Sequence, residues 1–186
     1  PRELHELWRW NRALVANLLF RCARETLFSV LADPKFLGAR PGVLVALHTW
    51  GRTLILHLHL HCVITAGGLD DTGRWCVVRT DYLAPGPLLR ARFRRQLLSA
   101  IAALTQQGKL RLPPGWDQCR EQRTVDAAAR KTWHVRVAGR YPHGRGVAIY
   151  LARYLRGGPI KNPRLLHFDG STVTFRYANH RRLGAD

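Results

Sequence analysis

Residues 53–65 read TLILHLHLHCVIT, and this run constrains the fold more than any other stretch of the chain. Strict alternation of apolar residues with another type marks a half-buried β-strand, because successive side chains leave opposite faces of the pleat. Leu54, Leu56, Leu58, Leu60, Cys62 and Ile64 fall on one face, which is uniformly apolar and must pack on helices. His57, His59 and His61 follow one another on the other face. Same-face neighbours stand roughly 6–7 Å apart along a strand, so adjacent imidazoles can converge on one ion. Neutral His is the commonest transition-metal ligand. The plain alternative is a polar sheet face open to water, for which three imidazoles are a poor choice. His48 ends the preceding predicted strand, 43–49 (VLVALHT), and is placed to reach across the hairpin. His48 and His57 are thus the candidates for a further ligand beside His59 and His61. No Asp or Glu lies in either strand. Such a donor set favours Mn²⁺ or another borderline divalent metal in vitro, whereas Mg²⁺ prefers oxygen shells but is the abundant ion in cells.

The rest of the chain supplies the helices that the apolar face requires. Apolar residues recur at spacings of three and four over 3–32, which predicts one long leading helix ended by Asp33-Pro34. Gly67-Gly68 is expected to stop the histidine strand, and a short third strand follows over 74–79 after the turn Asp70-Asp71-Thr72-Gly73. A second helix is predicted over 87–107 with Gly108 as its cap, then a loop and short helix over 112–131. A strand over 132–138, a helix over 145–156 ended by Gly157-Gly158-Pro159, and two short strands, 164–168 and 172–177, complete the reading. Helices alternate irregularly with hairpins, so the expected class is α+β with a central antiparallel sheet. The 186 residues suffice for one domain with a real core, with 1–34 packing on the sheet. The chain starts at Pro1 and holds no Met, and we expect a piece of a longer protein.

Charge narrows the partner. Lys and Arg number 30 against 12 acids, a formal net charge of +18, and most of the cations are Arg. Arginine suits bidentate phosphate contacts and stacks on bases, so a polyanion, and nucleic acid first, is implied. The arginines are spread over the chain rather than along one amphipathic helix, and no apolar run approaches the roughly 18–20 residues of a membrane span. Arg90, Arg92, Arg94 and Arg95 cluster on the 87–107 helix, either as a solvated face or as DNA-backbone contacts. The four cysteines, Cys22, Cys62, Cys76 and Cys119, lack zinc-ribbon spacing and read as reduced thiols of a cytosolic protein. Trp8, Trp50, Trp75, Trp116 and Trp133 are candidates for stacking on unpaired bases, although core packing is the commoner use of Trp.

Tyr150 and Tyr154 lie four residues apart in GVAIYLARYLR, which puts both hydroxyls on one helix face, with Arg153 and Arg156 beside them to hold phosphates. The alternative is an ordinary aromatic pair against the sheet. Tyr is a weak nucleophile at neutral pH, with a pKa about 10, and becomes useful where a metal polarises a phosphate and cations stabilise the phenolate. Together these residues suggest attack of a tyrosine on a phosphodiester, leaving a phosphotyrosine and a free 3′ hydroxyl, with the bond energy kept for rejoining.

Three blocks carry a family resemblance: LHTWGRTLILHLHLHCVITAGGL at 47–69, YLARYLRGGPIKNPRLL at 150–166 and STVTFRYANHR at 171–181, supported by NLLFRCARETL in the leading helix. The chain resembles rolling-circle insertion-sequence transposases of the IS-ninety-one type, the two-tyrosine transposases of the HUH endonuclease superfamily. The His-hydrophobe-His motif falls on His59-Leu60-His61 and the tyrosine pair on Tyr150 and Tyr154. Leu58 stands where the family commonly has Pro, and LRGGP replaces a His-rich loop after the second Tyr. The resemblance implies a sheet of about five antiparallel strands carrying the His pair centrally. It also implies a divalent metal (Mg²⁺ or Mn²⁺), single-stranded DNA at transposon ends as substrate, and nicking and joining through a 5′-phosphotyrosine. A bacterial cytoplasmic, nucleoid-associated location follows from it. The competing readings are a metal-dependent hydrolytic nuclease using bound water, and a non-catalytic basic nucleic-acid-binding module.

Overall fold

The computed structural model describes residues 1–51, 54–80, 83–141, 143–154, 160 and 162–176, with the backbone alone described at 153, 154 and 162. Its class is α+β, as expected. Strands β1 (Arg40–Trp50), β2 (Leu56–Leu69) and β3 (Trp75–Val77) form an antiparallel sheet in the order β1-β2-β3. Strands β4 (Leu165–Phe168) and β5 (Val173–Phe175) form a separate antiparallel pair around the Asp169 turn.

The expected sheet of about five strands is therefore corrected: among the described residues there are one three-stranded and one two-stranded sheet. The segment 132–138 shows why. Its burial alternates as a strand's would, with Trp133 buried, Val135 and Val137 half-buried, and His134 and Arg136 exposed. It nevertheless joins no ladder, because helices claim its side chains. Trp133 packs edge-on against Phe93, and its indole N–H donates to the Ala128 carbonyl at 2.9 Å. Val135 and Val137 pack on the core around Leu27, Leu31 and Leu89.

The leading helix is also not continuous. A 3-10 turn (Arg2–Leu4) and α1 (His5–Trp10) are separated from α2 (Arg12–Leu31) by Asn11, whose backbone leaves the helical region at φ −135° and ψ 41°. The Asn11 amide is the cause. Its nitrogen donates to the carbonyls of Leu7 and Arg111, both at 2.9 Å, and its oxygen accepts from the Arg111 amide at 2.8 Å. A buried amide satisfied on three sides outweighs the small propensity gain of one more helical residue.

Helices α2 and α3 (Gly86–Gln106) cover the apolar side of the sheet. Leu56, Leu58 and Leu60 of β2, with Leu47 of β1, pack on a core that includes Leu7, Val15 and Leu18 from the leading helices and Leu97 and Ile101 from α3. Cys62, Ile64 and Val43 extend the same face onto the second core. The predicted apolar face is thus formed, except for Leu54, which precedes the strand with φ 62° and is exposed. Nor do Gly67 and Gly68 stop β2: both are inside it. A Cβ on Gly67 would stand 2.6 Å from the Cys76 carbonyl oxygen and from the Trp75 indole, and one on Gly68 would strike the Arg40 carbonyl. The two glycines let β2 pass tightly between its neighbours. Helix α4 (Gln118–Arg130) is capped by the Asp117 carboxylate, which accepts from the Arg120 amide at 2.7 Å. Helix α5 spans Gly144–Tyr154; its predicted end at 155–156 lies outside the described residues. Among the described residues, no helix is long and apolar enough to cross a membrane.

Candidate active site

The polar face of the hairpin carries the site. The β1–β2 register sets His48 directly opposite His59, and Ala46 opposite His61, so the three imidazoles share one side of the sheet. Ring centroids lie 5.3 Å apart for His48–His59, 4.5 Å for His48–His61 and 4.9 Å for His59–His61. One nitrogen from each of the three comes within 4.8 Å of the others, which makes them a group able to hold a metal ion. Of the two candidates for the third position, the structure gathers His48. His57 remains on the same strand, with its ring 4.9 Å from that of His59, but it is exposed and stands outside the triad.

The chemistry of the donors fits a divalent transition metal. Burial, reinforced by the neighbouring imidazoles, pushes His61 down to about 4. His59 is also lowered, chiefly by burial. Both rings are therefore neutral at pH 7, which is the ligating form. The tautomer of His59 is set by its partner: Nδ1 lies 2.9 Å from the His57 carbonyl oxygen, which can only accept. Nδ1 thus carries the hydrogen, and Nε2 presents its lone pair.

Helix α5 brings Tyr150 onto this face. Its hydroxyl is 2.9 Å from Nδ1 of His61, with the rings 6.0 Å apart at 66°. The His strand and the tyrosine helix, 89 positions apart in sequence, thus meet through one hydrogen bond. Tyr154 lies on the same helix, and Arg153 precedes it, but their side chains lie outside the described residues, as does the whole of Arg156.

The α3 arginines are not brought to this site. Helix α3 sits behind the apolar side of the sheet, the side opposite the imidazoles. Arg92 is half-buried there, and Arg94 and Arg95 are exposed. Arg94 donates to the Ala129 carbonyl at 3.4 Å, in the last turn of α4, where a cation suits the free carbonyls and the dipole.

Two aromatic neighbours extend the site. Trp50 stacks on His48, with centroids 4.8 Å apart and planes 13° from parallel. Tyr141, which sequence reasoning did not single out, lies 6.1 Å from Tyr150 at 54° and rests on the first turn of α5, where Gly146 leaves room for its ring. Nothing in the pattern around Tyr141 marks it; only its place before a helix start relates it to Tyr150. Of the other tryptophans, Trp8 and Trp133 are core residues, Trp116 holds the Arg120 guanidinium at 5.1 Å, and Trp75 is exposed on β3.

Residues 42–186 match the model of the Y2 transposase family, described as "Putative transposase". The chain is 35% identical to the putative transposase y4qJ of Sinorhizobium fredii over 186 residues, covering 97% of this chain and 47% of that protein. It is 33% identical over 196 residues to the transposase for insertion sequence element IS801 of Pseudomonas savastanoi pv. phaseolicola, covering 97% of this chain and 43% of that one. The chain thus spans less than half the length of these curated relatives. No solved structure matches it.

Proposed function

Because this chain belongs to the Y2 transposase family, we propose that it cuts and rejoins single-stranded DNA at transposon ends through a covalent tyrosine intermediate, on an HUH-type fold. The observation that carries this reading is the 2.9 Å hydrogen bond between the Tyr150 hydroxyl and a member of the histidine triad. A structural aromatic pair would not need its hydroxyl aimed at a metal-competent cluster.

His48, His59 and His61 would hold the cation, Mn²⁺ or Mg²⁺. When bound, it supplies Lewis-acid polarisation of the scissile phosphate. The protein's own part follows from the tautomers. With Nε2 of His61 committed as a ligand, Nδ1 carries the hydrogen and donates to the Tyr150 oxygen, orienting it and stabilising the negative charge it develops. Tyr150 gives up its phenolic proton to solvent water as its oxygen forms the new bond to phosphorus. The bond from phosphorus to the 3′ oxygen breaks, and that oxygen leaves as a free 3′ hydroxyl once protonated. The 5′ phosphate remains on the tyrosine, and attack by a 3′ hydroxyl reverses the step and joins strands. Tyr154, one turn further along α5, is the candidate acceptor of a second strand, and Arg153 and Arg156 are candidate phosphate contacts.

The test is a labelled single-stranded oligonucleotide bearing an element end, incubated with the protein and Mn²⁺. We expect a protein–DNA band that survives denaturation and disappears in the Tyr150→Phe/Tyr154→Phe double variant. Cleavage that continues in the double variant, with no covalent band from the wild type, would establish a hydrolytic nuclease instead. Salt-sensitive binding as the sole activity would reduce the chain to a nucleic-acid-binding module.

A further inference from the structure

We propose that Trp50 is a positioning residue for His48, holding that imidazole ready as the third arm of the cation site. This inference rests on the reading of the triad as a metal centre. Each of the three rings has a distinct neighbour outside the triad. The His57 carbonyl holds His59 and the Tyr150 hydroxyl meets His61, in each case through Nδ1. His48 is covered by the Trp50 indole in a near-parallel stack. Stacking occupies a face of the imidazole and leaves both nitrogens at the ring edge, so it fixes the ring's plane without consuming a donor atom. The same ring meets His59 almost perpendicularly, at 85°, and His61 at 58°.

The backbone is built to allow this stack. Counting from the pair His48↔His59, an unbroken ladder would set Trp50 opposite His57. Instead a register shift lies between His48 and Trp50, and Trp50 pairs with Leu56. Strand β2 thus advances three residues where β1 advances two, a bulge of the kind that re-aims a side chain beside a functional site. The shift removes His57 from the position facing Trp50, which accords with its standing outside the triad. The turn beyond contains Leu54 at φ 62°, an unfavourable backbone conformation for a Leu, at the tip of the same hairpin.

The indole does more than restrict the ring. Its π face is electron-rich, and an imidazole polarised by a cation is a better partner for it than a neutral one. Trp50 therefore favours the loaded site over the empty one. Losing an outer support of a metal-ligating His typically weakens metal affinity by about 10–100-fold, and the lower end is expected here because no hydrogen bond is removed.

The experiment titrates Mn²⁺ into the chain by calorimetry. Trp50→Phe, which keeps an aromatic face, is expected to bind within about threefold of wild type, and Trp50→Leu about tenfold more weakly. Trp50→Thr, a residue at home in strands, serves as a second non-aromatic replacement should the Leu variant not fold. A cycle with His48→Ala supplies the discriminating readout. If Trp50 acts through His48, Trp50→Leu has no further effect in the His48→Ala background. An equal loss in both backgrounds means a general structural role and overturns the inference. So does wild-type Mn²⁺ affinity in Trp50→Leu together with weaker oligo(dT) binding in EDTA, which would make the indole a base platform. If the wild type takes up no Mn²⁺, or a His59→Ala/His61→Ala variant takes it up undiminished, the metal-centre reading itself has failed.

Discussion

Replacing Tyr150 by Phe removes one oxygen and separates the two roles proposed for it. The ring keeps its place between His61, 6.0 Å away, and Tyr141, 6.1 Å away, so packing is nearly conserved. What is lost is the 2.9 Å hydrogen bond to Nδ1 of His61. In a half-buried site such a bond contributes about 0.5–1.5 kcal/mol net, which lowers Tm by only about 1–6 °C in a chain of this size. Metal affinity should fall more visibly, by about tenfold, because His61 loses the group that orients it. Covalent adduct formation should fall to whatever Tyr154 can supply on its own. The assays are calorimetric Mn²⁺ titration, denaturing-gel capture of the oligonucleotide adduct, and a thermal melt to establish folding. A folded Tyr150→Phe chain with Mn²⁺ affinity within twofold of wild type and an undiminished adduct would refute both roles together. Loss of the adduct with unchanged metal affinity would keep the nucleophile and discard the orienting hydrogen bond.

Further predictions concern the frame and the surface around the site. Asn11→Ala removes the amide joining Leu7 and Arg111; it should cost about 2 kcal/mol and lower Tm by roughly 4–8 °C in a thermal melt. Glu121 is 1% exposed, and burial holds its carboxyl above the usual range even though Thr105 donates to it at 2.9 Å. A raised carboxyl binds more protons folded than unfolded, so stability falls as pH rises through its titration; Glu121→Gln should stabilise the chain at pH 7 and lose that advantage below about pH 4, as melts across pH would show. Burial pushes Cys62 up to about 11, so at pH 8 roughly one molecule in a thousand carries its thiolate. Iodoacetamide followed by peptide mass mapping should label exposed Cys119 long before Cys62. Finally, the Arg92→Ala/Arg94→Ala/Arg95→Ala variant should leave the slope of log affinity against log salt for single-stranded DNA unchanged; a decrease of about 2 would reveal three backbone contacts on α3.

The elements that the sequence announces clearly are those in which one periodicity dominates. The alternation from Leu56 to Ile64 could be satisfied only by a strand with helices behind it, and the structure has both. Where expectation and structure part, a contact from a distant segment decides. Asn11 breaks the leading helix because Arg111, 100 positions away, completes its hydrogen bonds. Residues 132–138 keep the burial rhythm of a strand but form no ladder, because Phe93 and the end of α4 hold Trp133. Gly67 and Gly68 resemble a stop signal, yet they permit close passage between β1 and β3, a use that depends on where Arg40 and Trp75 lie. Local pattern carries none of these partners.

The candidate site was legible to the same degree and for the same reason. Alternation put His57, His59 and His61 on one face, but choosing between His48 and His57 required the register, since the shift after His48 determines which imidazoles converge. Helical spacing set Tyr150 on a face, yet only the packing of α5 over the sheet joins its hydroxyl to His61. Charge was the least local signal. An excess of +18 points to a polyanionic partner, not to where it would lie. The arginines of α3 occupy the helix layer on the apolar side of β2, whereas the imidazoles occupy the other side. A strand lying across the triad at phosphate-contact distance would have the full thickness of the sheet between it and α3. Contacts from Arg92, Arg94 or Arg95 to the same few nucleotides would require the strand to turn around a sheet edge. On the proposed reading, the cations to test at the scissile phosphate are therefore those of α5, the helix that brings Tyr150 to the site. The Tyr150–His61 hydrogen bond is then the point at which that helix and the histidine hairpin meet.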